Sequence, residues 1–240
     1  MSTHVRYEVL RATRNARTLV VSLPLPLVLF YAVASANRHA HTDGIWFPLY
    51  FMAGMAAYGA LFAVLAPGSR IAVDRAAGWT RQLRLTPLPV RNYFVAKVLT
   101  AYLVALLSVL VLFLAGASFG VHLSVTGWLE MTGLLIVGLA PFVLIGIIVG
   151  HVISADALPA VVGGLVVLFA LLGGAFGELF SSGAMHGIVK ALPSYWLVQA
   201  GKAAITNGNW PTEGWAVVGA WTVVLVPLAV AVYRRDTSRV

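Results

Sequence analysis

Six long stretches without a charged residue limit what this chain can fold into more than any other feature of its sequence. Each holds at least 20 residues, and they cover 18–37, 44–69, 98–129, 131–155, 157–177 and 214–233. A helix needs about 20 apolar residues to cross a hydrocarbon core of about 30 Å. Because lipid offers no hydrogen-bond partners, each run must bond its own backbone groups, which predicts transmembrane α-helices.

The composition supports the same class of protein. Hydrophobic residues make up 60% of the chain and charged residues only 10%, whereas a typical soluble domain has about 25% charged residues. So few charges exclude an ordinary soluble protein, a disordered chain and a nucleic-acid-binding domain, although the net charge is +8. The absence of cysteine excludes disulfides and thiolate metal sites.

The basic residues predict how the helices are oriented. With a cytoplasmic N-terminus, 13 of the 16 Lys and Arg residues fall on the cytoplasmic side, and only Arg38, Lys190 and Lys202 fall outside. The positive-inside rule favours this arrangement. We therefore expect an all-α integral membrane protein, N-in and C-in, with six spans over 18–37, 45–69, 93–119, 128–153, 157–177 and 214–233.

The first span has an alternative interpretation, since Ala34-Ser35-Ala36 resembles a signal-peptide cleavage site. The apolar core of a signal peptide has about 7–15 residues after a short basic stretch. Here 17 residues precede an apolar run of 20, so we expect a membrane helix that is retained.

Residues 3–17 predict a helix that lies on the membrane surface. Small apolar residues at positions 5, 9, 12 and 16 align on one face. The other side carries Arg6, Arg11, Arg14 and Arg17. These arginines can face lipid phosphates while the apolar stripe enters the interface. The alternative is a basic flank that only sets the topology.

Prolines and paired glycines predict kinks and close helix contacts. Pro24 and Pro26 lie in the first span and Pro141 in the fourth, and each removes a helical hydrogen bond. Glycines four residues apart, at 116/120, 146/150 and 173/177, let helices approach closely. We expect them to pack within the chain, with a dimer seam as the alternative.

Recognisable catalytic motifs are absent from the sequence. It has no HExxH or GxSxG motif and no P-loop, so we expect neither enzymatic activity nor ATP binding by this chain alone. His39, His41 and Asp43 share one loop, but nothing predicts a metal-binding geometry there. Charged residues are also absent from the middle of the spans, which argues against an ion-coupled carrier.

The stretch between the second and third spans differs from the rest of the chain. Asp74 lies near a predicted helix start and Arg84 near its end, as the helix dipole favours. Pro87 then ends the helix. Trp79 and Leu83 form an apolar i,i+4 pair, so the stretch predicts a short amphipathic helix exposed to the cytoplasm.

This stretch resembles the signature of ABC-2-type permeases, the membrane subunits of ABC exporters. The matching positions are Asp74, Gly78, Leu83, Arg84, Thr86 and Pro87, and Lys97 at the start of the third span also fits. Two residues depart from the family pattern, because Asp74 replaces a glutamate and Trp79 a threonine. The Pro193-Ser194-Tyr195-Trp196 run resembles an element that precedes the last span in this family.

The resemblance implies a type V exporter-like fold and a mechanism. Residues 74–87 would form a coupling helix that docks on an ATPase, and 178–205 an outer re-entrant lid. The implied coupling residues are Asp74, Arg75, Gly78, Trp79, Arg81, Leu83, Arg84, Thr86 and Pro87. The implied lid residues are Glu178, Pro193, Tyr195 and Trp196.

The resemblance also implies partners. Two such permeases, identical or homologous, would bind two separate ATPase subunits, which hold the ATP and Mg²⁺. This chain would hold no cofactor of its own and would lie in a bacterial cell membrane.

The substrate follows least directly from the sequence. The short chain without large extra domains resembles the drug and antibiotic exporters, with polysaccharide exporters as the alternative branch. A candidate pathway contains Phe30, Tyr31, Tyr58 and Phe62, whose apolar rings suit a hydrophobic drug or a lipid. A membrane-embedded enzyme and a non-ABC carrier are the alternatives from other classes.

Overall fold

The computed structural model describes residues 23–42, 44–77, 90–177, 182–206 and 210–238. The predicted surface helix with its four arginines, most of the predicted coupling helix and Glu178 lie outside the described residues. Within them the chain is almost entirely helical. The exception is a two-residue antiparallel ribbon that pairs His41–Thr42 with Ile45–Trp46.

Ten helices follow one another along the described chain. They are α1 (Pro24–Ala36), α2 (Phe47–Leu65), α3 (Pro67–Ala76), α4 (Val90–Phe119), α5 (Val125–Gly138), α6 (Ala140–Val152), α7 (Leu158–Gly173), α8 (Gly183–Lys190), α9 (Pro193–Ala203) and α10 (Thr212–Ser238).

Three helical segments are long and apolar enough to cross a membrane. They are the α2–α3 run over Phe47–Ala76, the Phe94–Phe119 part of α4 and the Thr212–Arg235 part of α10. The bent pair α5–α6 makes a fourth, while the apolar helices α1 and α7 have only 13 and 16 residues as described. These helices are those of an all-α membrane protein. Six spans and their orientation stay predictions.

The break between α5 and α6 lies where a proline kink was expected. The two helices meet at Leu139 with a bend of 40°, and Pro141 stands in the first turn of α6. Proline lacks an N–H and its ring clashes with the preceding turn, which explains the bend. Pro24 and Pro26 instead lie in the first turn of α1 as described, where a missing N–H costs little.

Helix α2 is the centre of the bundle. Of its 19 residues 15 are buried, and it packs against α1, α4, α6, α7 and α9. A helix that is apolar on all sides is suited to such a position. Small residues such as Ala56 and Ala60, both fully buried, let neighbouring helices approach closely.

Helices α3 and α6 cross closely through three glycines. A Cβ placed on Gly150 would lie 2.5 Å from the Gly68 carbonyl oxygen, and one placed on Gly68 would collide with the Gly146 carbonyl. The paired glycines 146 and 150 therefore pack within the chain. Gly116 against Met52 and Gly173 against Ser194 make similar contacts.

Substitution of one glycine by alanine, which adds a single methyl group, tests this helix contact. Gly150→Ala should lower the free energy of unfolding by about 1–3 kcal/mol, because the added Cβ overpacks the contact. Gly219→Ala on α10 is the matched control, since a Cβ there meets nothing within 4 Å. Thermal unfolding in one detergent measures both variants. Equal midpoints for the two would contradict the packing described here.

The predicted orientation is tested with reporter fusions. Fusions at Asp43, Gly120 and Gly208 should report an outer location. Fusions at Gly78, Ser154 and Ser238 should report a cytoplasmic one, as the positive-inside rule requires. A cytoplasmic reporter at Gly208 would contradict the six-span topology.

Candidate functional sites

Two groups of candidate site residues lie at opposite ends of the bundle. We call the first the Asp74 end. There α3 ends, and α4 and α10 contribute basic residues. The second is the α8–α9 hairpin, residues 183–203, which packs against the other end of α2. Both contain residues that the sequence singled out.

An ion pair defines the Asp74 end. The carboxylate of Asp74 on α3 lies 3.7 Å from the Lys97 ammonium on α4. The Lys97 side chain is only 8% exposed and that of Asp74 is 25% exposed, so the pair is largely shielded from solvent. It joins the two helices that flank residues 78–89, and it combines two residues that the resemblance to ABC-2 permeases had marked separately.

Arg75 ties the same end of α3 to a third helix. Its guanidinium donates a hydrogen bond of 3.3 Å to the Gly150 carbonyl near the end of α6. The next residue, His151, is buried and donates from Nδ1 to the Ile147 carbonyl at 2.8 Å. Its ring packs edge-on to Tyr233 on α10 at 5.7 Å. The end of α3 is therefore anchored to both α4 and α6.

The contacts at the Asp74 end link the end of α3 to α4 and α6. No group of three His, Cys, Asp or Glu side chains that could hold a metal ion occurs among the described residues. The charged groups instead fasten helix ends to one another. The remaining predicted coupling residues, Gly78 to Pro87, lie outside the described part of the chain.

The α8–α9 hairpin explains why tryptophan occurs in the Pro-Ser-Tyr-Trp run. The indole N–H of Trp196 on α9 donates to the Lys190 carbonyl at 2.7 Å. A second indole, Trp221 on α10, donates to the Ala191 carbonyl at 2.9 Å. The last carbonyls of a helix lack intrahelical partners, so the two indoles cap α8. Tyr195 packs on Trp196 and on His186 of α8.

Lys202 has a buried environment that the sequence did not predict. Lys202 was predicted to lie on the outer side, within the segment 178–205, and its side chain is only 5% exposed on α9. Its ammonium donates a 2.5 Å hydrogen bond to the Tyr50 hydroxyl and lies 4.4 Å from the centre of that ring. The small apolar neighbours Gly201 and Ala203 were the available signal, because they are typical of close helix packing.

The four predicted pathway residues differ in their exposure and in their ring contacts. Phe30 is fully buried and Tyr31 is 43% exposed, and both rings pack against Phe119 of α4. Tyr58 instead packs against Phe176. Phe62 is partly buried against the core.

An apolar groove of about 540 Å³ lies elsewhere, between α4 and α5. Its lining residues include Phe113, Trp128 and Leu129. None of the four predicted pathway residues contributes to it.

The fold and these sites define a helical membrane protein whose charged groups bind helices together. In a comparison with known proteins, no family model matches the chain. It is similar to "Putative transport permease YvfS" of Bacillus subtilis (strain 168), with 28% identity over 227 residues. The alignment covers 92% of this chain and 88% of that permease.

Proposed function

We propose that this chain is the permease subunit of an ATP-driven ABC exporter of the ABC-2 type, located in a bacterial cell membrane. The observation that carries the proposal is the similarity to a transport permease along nearly the whole chain. The signature residues between Asp74 and Pro87 add the ABC-2 assignment. The apolar helices support a location in the membrane.

The Asp74 end supports a coupling role for the stretch that follows α3. An ATPase that closes on ATP would push on residues 78–89, and Asp74 and Lys97 flank this stretch on α3 and α4. The contact between Arg75 and Gly150 would carry the same push to α6. Rigid-body rearrangement of helices is a usual way in which transporters change access.

The chain requires partners for this activity. Because it has no P-loop, two separate ATPase subunits would supply ATP hydrolysis. A second permease, identical or homologous, would complete the transporter. The seam would join α1 and α7, which expose apolar side chains such as Val28 and Leu168. Exposed apolar area of this kind is typical of an interaction surface or of contact with lipid.

We propose a hydrophobic drug, antibiotic or lipid-like molecule as the substrate. Aromatic and aliphatic side chains dominate the surfaces of α1, α4 and α7. Such surfaces bind a hydrophobic molecule through burial of apolar area, at about 25 cal/mol per Å². Because these contacts have no fixed direction, they favour broad specificity. The α8–α9 hairpin would lie at the exit as part of a lid.

Affinity purification from native membranes tests the assignment. An ATPase subunit should co-purify with the chain, together with any second permease. Cells that express the chain with this ATPase should accumulate less of several unrelated lipophilic compounds, and an inactive ATPase should abolish the difference. Purification without any ATPase would contradict the ABC assignment. Dependence on a single polyanionic glycan would assign the chain to the polysaccharide branch instead.

A further inference from the structure

The two halves of the α8–α9 hairpin differ in how they contact the bundle. Nine of the 11 residues of α9 are buried, whereas α8 buries only Val189 among its eight residues. Helix α9 packs against α2, α5, α7 and α10, while the main packing partner of α8 is α9. One half of the predicted lid is therefore part of the core.

Lys202 fastens the end of α9 to the start of α2. Its ammonium is hydrogen-bonded to the Tyr50 hydroxyl and faces the Tyr50 ring. Both contacts favour a buried cation. Lys202 also stands in the last turn of α9, where the helix dipole favours positive charge.

The backbones fit closely at the same place. A Cβ placed on Gly201 would lie 3.1 Å from the Ala53 carbonyl oxygen and 3.6 Å from the Ala53 Cβ. One turn earlier in α9, Leu197 contacts a different helix: its Cβ would lie 3.7 Å from a Cβ placed on Gly138 of α5. Separation of α9 from α2 would break the contact between Gly201 and Ala53 and leave the Lys202 charge without Tyr50.

We infer that Lys202 is a positioning residue that keeps α9 attached to α2 throughout the transport cycle. Helix α9 then moves with α2 as one body, and any opening of the lid takes place in α8. The inference rests on the proposed transport function. It assigns a role to a charge that the coupling mechanism does not use.

A disulfide between α9 and α2 tests this inference directly. The chain has no cysteine, so Ala53→Cys combined with Gly201→Cys introduces a single pair. The Cβ separation of 3.6 Å lies within the range of disulfides. In the complete transporter with its ATPase, we expect the oxidised pair to transport at the rate of its own reduced form. Loss of transport on oxidation, restored by a reductant, would overturn the inference.

A second measurement isolates Lys202 and does not depend on transport. Lys202→Met keeps the apolar stem without the charge, and should slow formation of the Ala53→Cys/Gly201→Cys cross-link. Lys202→Arg should restore part of the rate. Lys190→Met on α8 is the matched control and should leave the rate unchanged. An unchanged rate in Lys202→Met would overturn the positioning role.

The two measurements separate this inference from the proposed function. If the unmodified chain never transports with an ATPase, the exporter proposal fails, while the cross-linking rates still show whether Lys202 holds α9. If Lys202→Met does not fold, Tyr50→Phe removes the hydroxyl and keeps the ring. It should also slow the cross-link, and an unchanged rate would overturn the inference.

Discussion

Trp79→Ala should abolish ATP-driven transport while the chain still inserts into the membrane. Trp79 is the large apolar side chain on the predicted coupling helix, and buried tryptophans carry much of the binding energy at interfaces. Gly78→Pro should have the same effect, because a proline within a helix costs about 3 kcal/mol. Arg81→Glu should weaken association with the ATPase, most clearly at low salt, since salt screens exposed charges.

The measurement is ATP hydrolysis and transport in the same reconstituted membranes. An uncoupled variant hydrolyses ATP without moving substrate, whereas a misfolded one is lost during purification. Trp215→Ala on α10 is the matched control, because this tryptophan is 49% exposed and lies outside the stretch. If all three coupling variants bind and transport normally, residues 74–87 are not the docking element.

Asp74→Ala should destabilise the protein by about 3 kcal/mol, because removal of one partner leaves the other charge in a buried place. The ammonium that loses its carboxylate is that of Lys97, whose side chain is 8% exposed. Asp74→Ala combined with Lys97→Met should recover most of this loss, since no buried charge then lacks a counter-charge. Asp74→Glu should remain close to the wild type in stability.

Thermal unfolding of the purified protein in one detergent measures this series. The informative quantity is the coupling energy between the two sites from a double-mutant cycle. A double variant as unstable as Asp74→Ala would contradict the pairing. If the Asp74→Ala variant loses transport at temperatures where it stays folded, Asp74 also has a role in coupling.

Patterns along the chain were sufficient to predict the class of protein and its most apolar helices. The charge-free stretches 98–129 and 214–233 contain most of α4 and α10, because a span in lipid must be both apolar and helical. The bend at Pro141 follows from local chemistry in the same way. The resemblance added residues 74–87, of which only Asp74, Arg75 and Ala76 lie within α3 as described.

Contacts between residues that are far apart in the sequence could not be predicted from such patterns. The sequence marked Asp74 and Lys97 but did not indicate that they form a pair. It marked Phe30 and Tyr58 as pathway residues but did not indicate that Phe30 packs with Phe119 and Tyr58 with Phe176. Ring packing depends on how helices are rotated against each other, and that rotation is set by tertiary contacts.

By itself, the sequence determined that this protein is helical, apolar and built for a membrane, because hydrophobicity and backbone hydrogen bonding act locally on each segment. Only the tertiary structure decided that α9 is part of the core and that Lys202 is buried beside Tyr50. The small neighbours Gly201 and Ala203 are compatible with close helix packing, but they do not indicate which helix packs there. Its burial depends on Gly201 meeting the Ala53 carbonyl, about 150 residues earlier in the chain, and the free energy of such a contact exists only once both helices are in place.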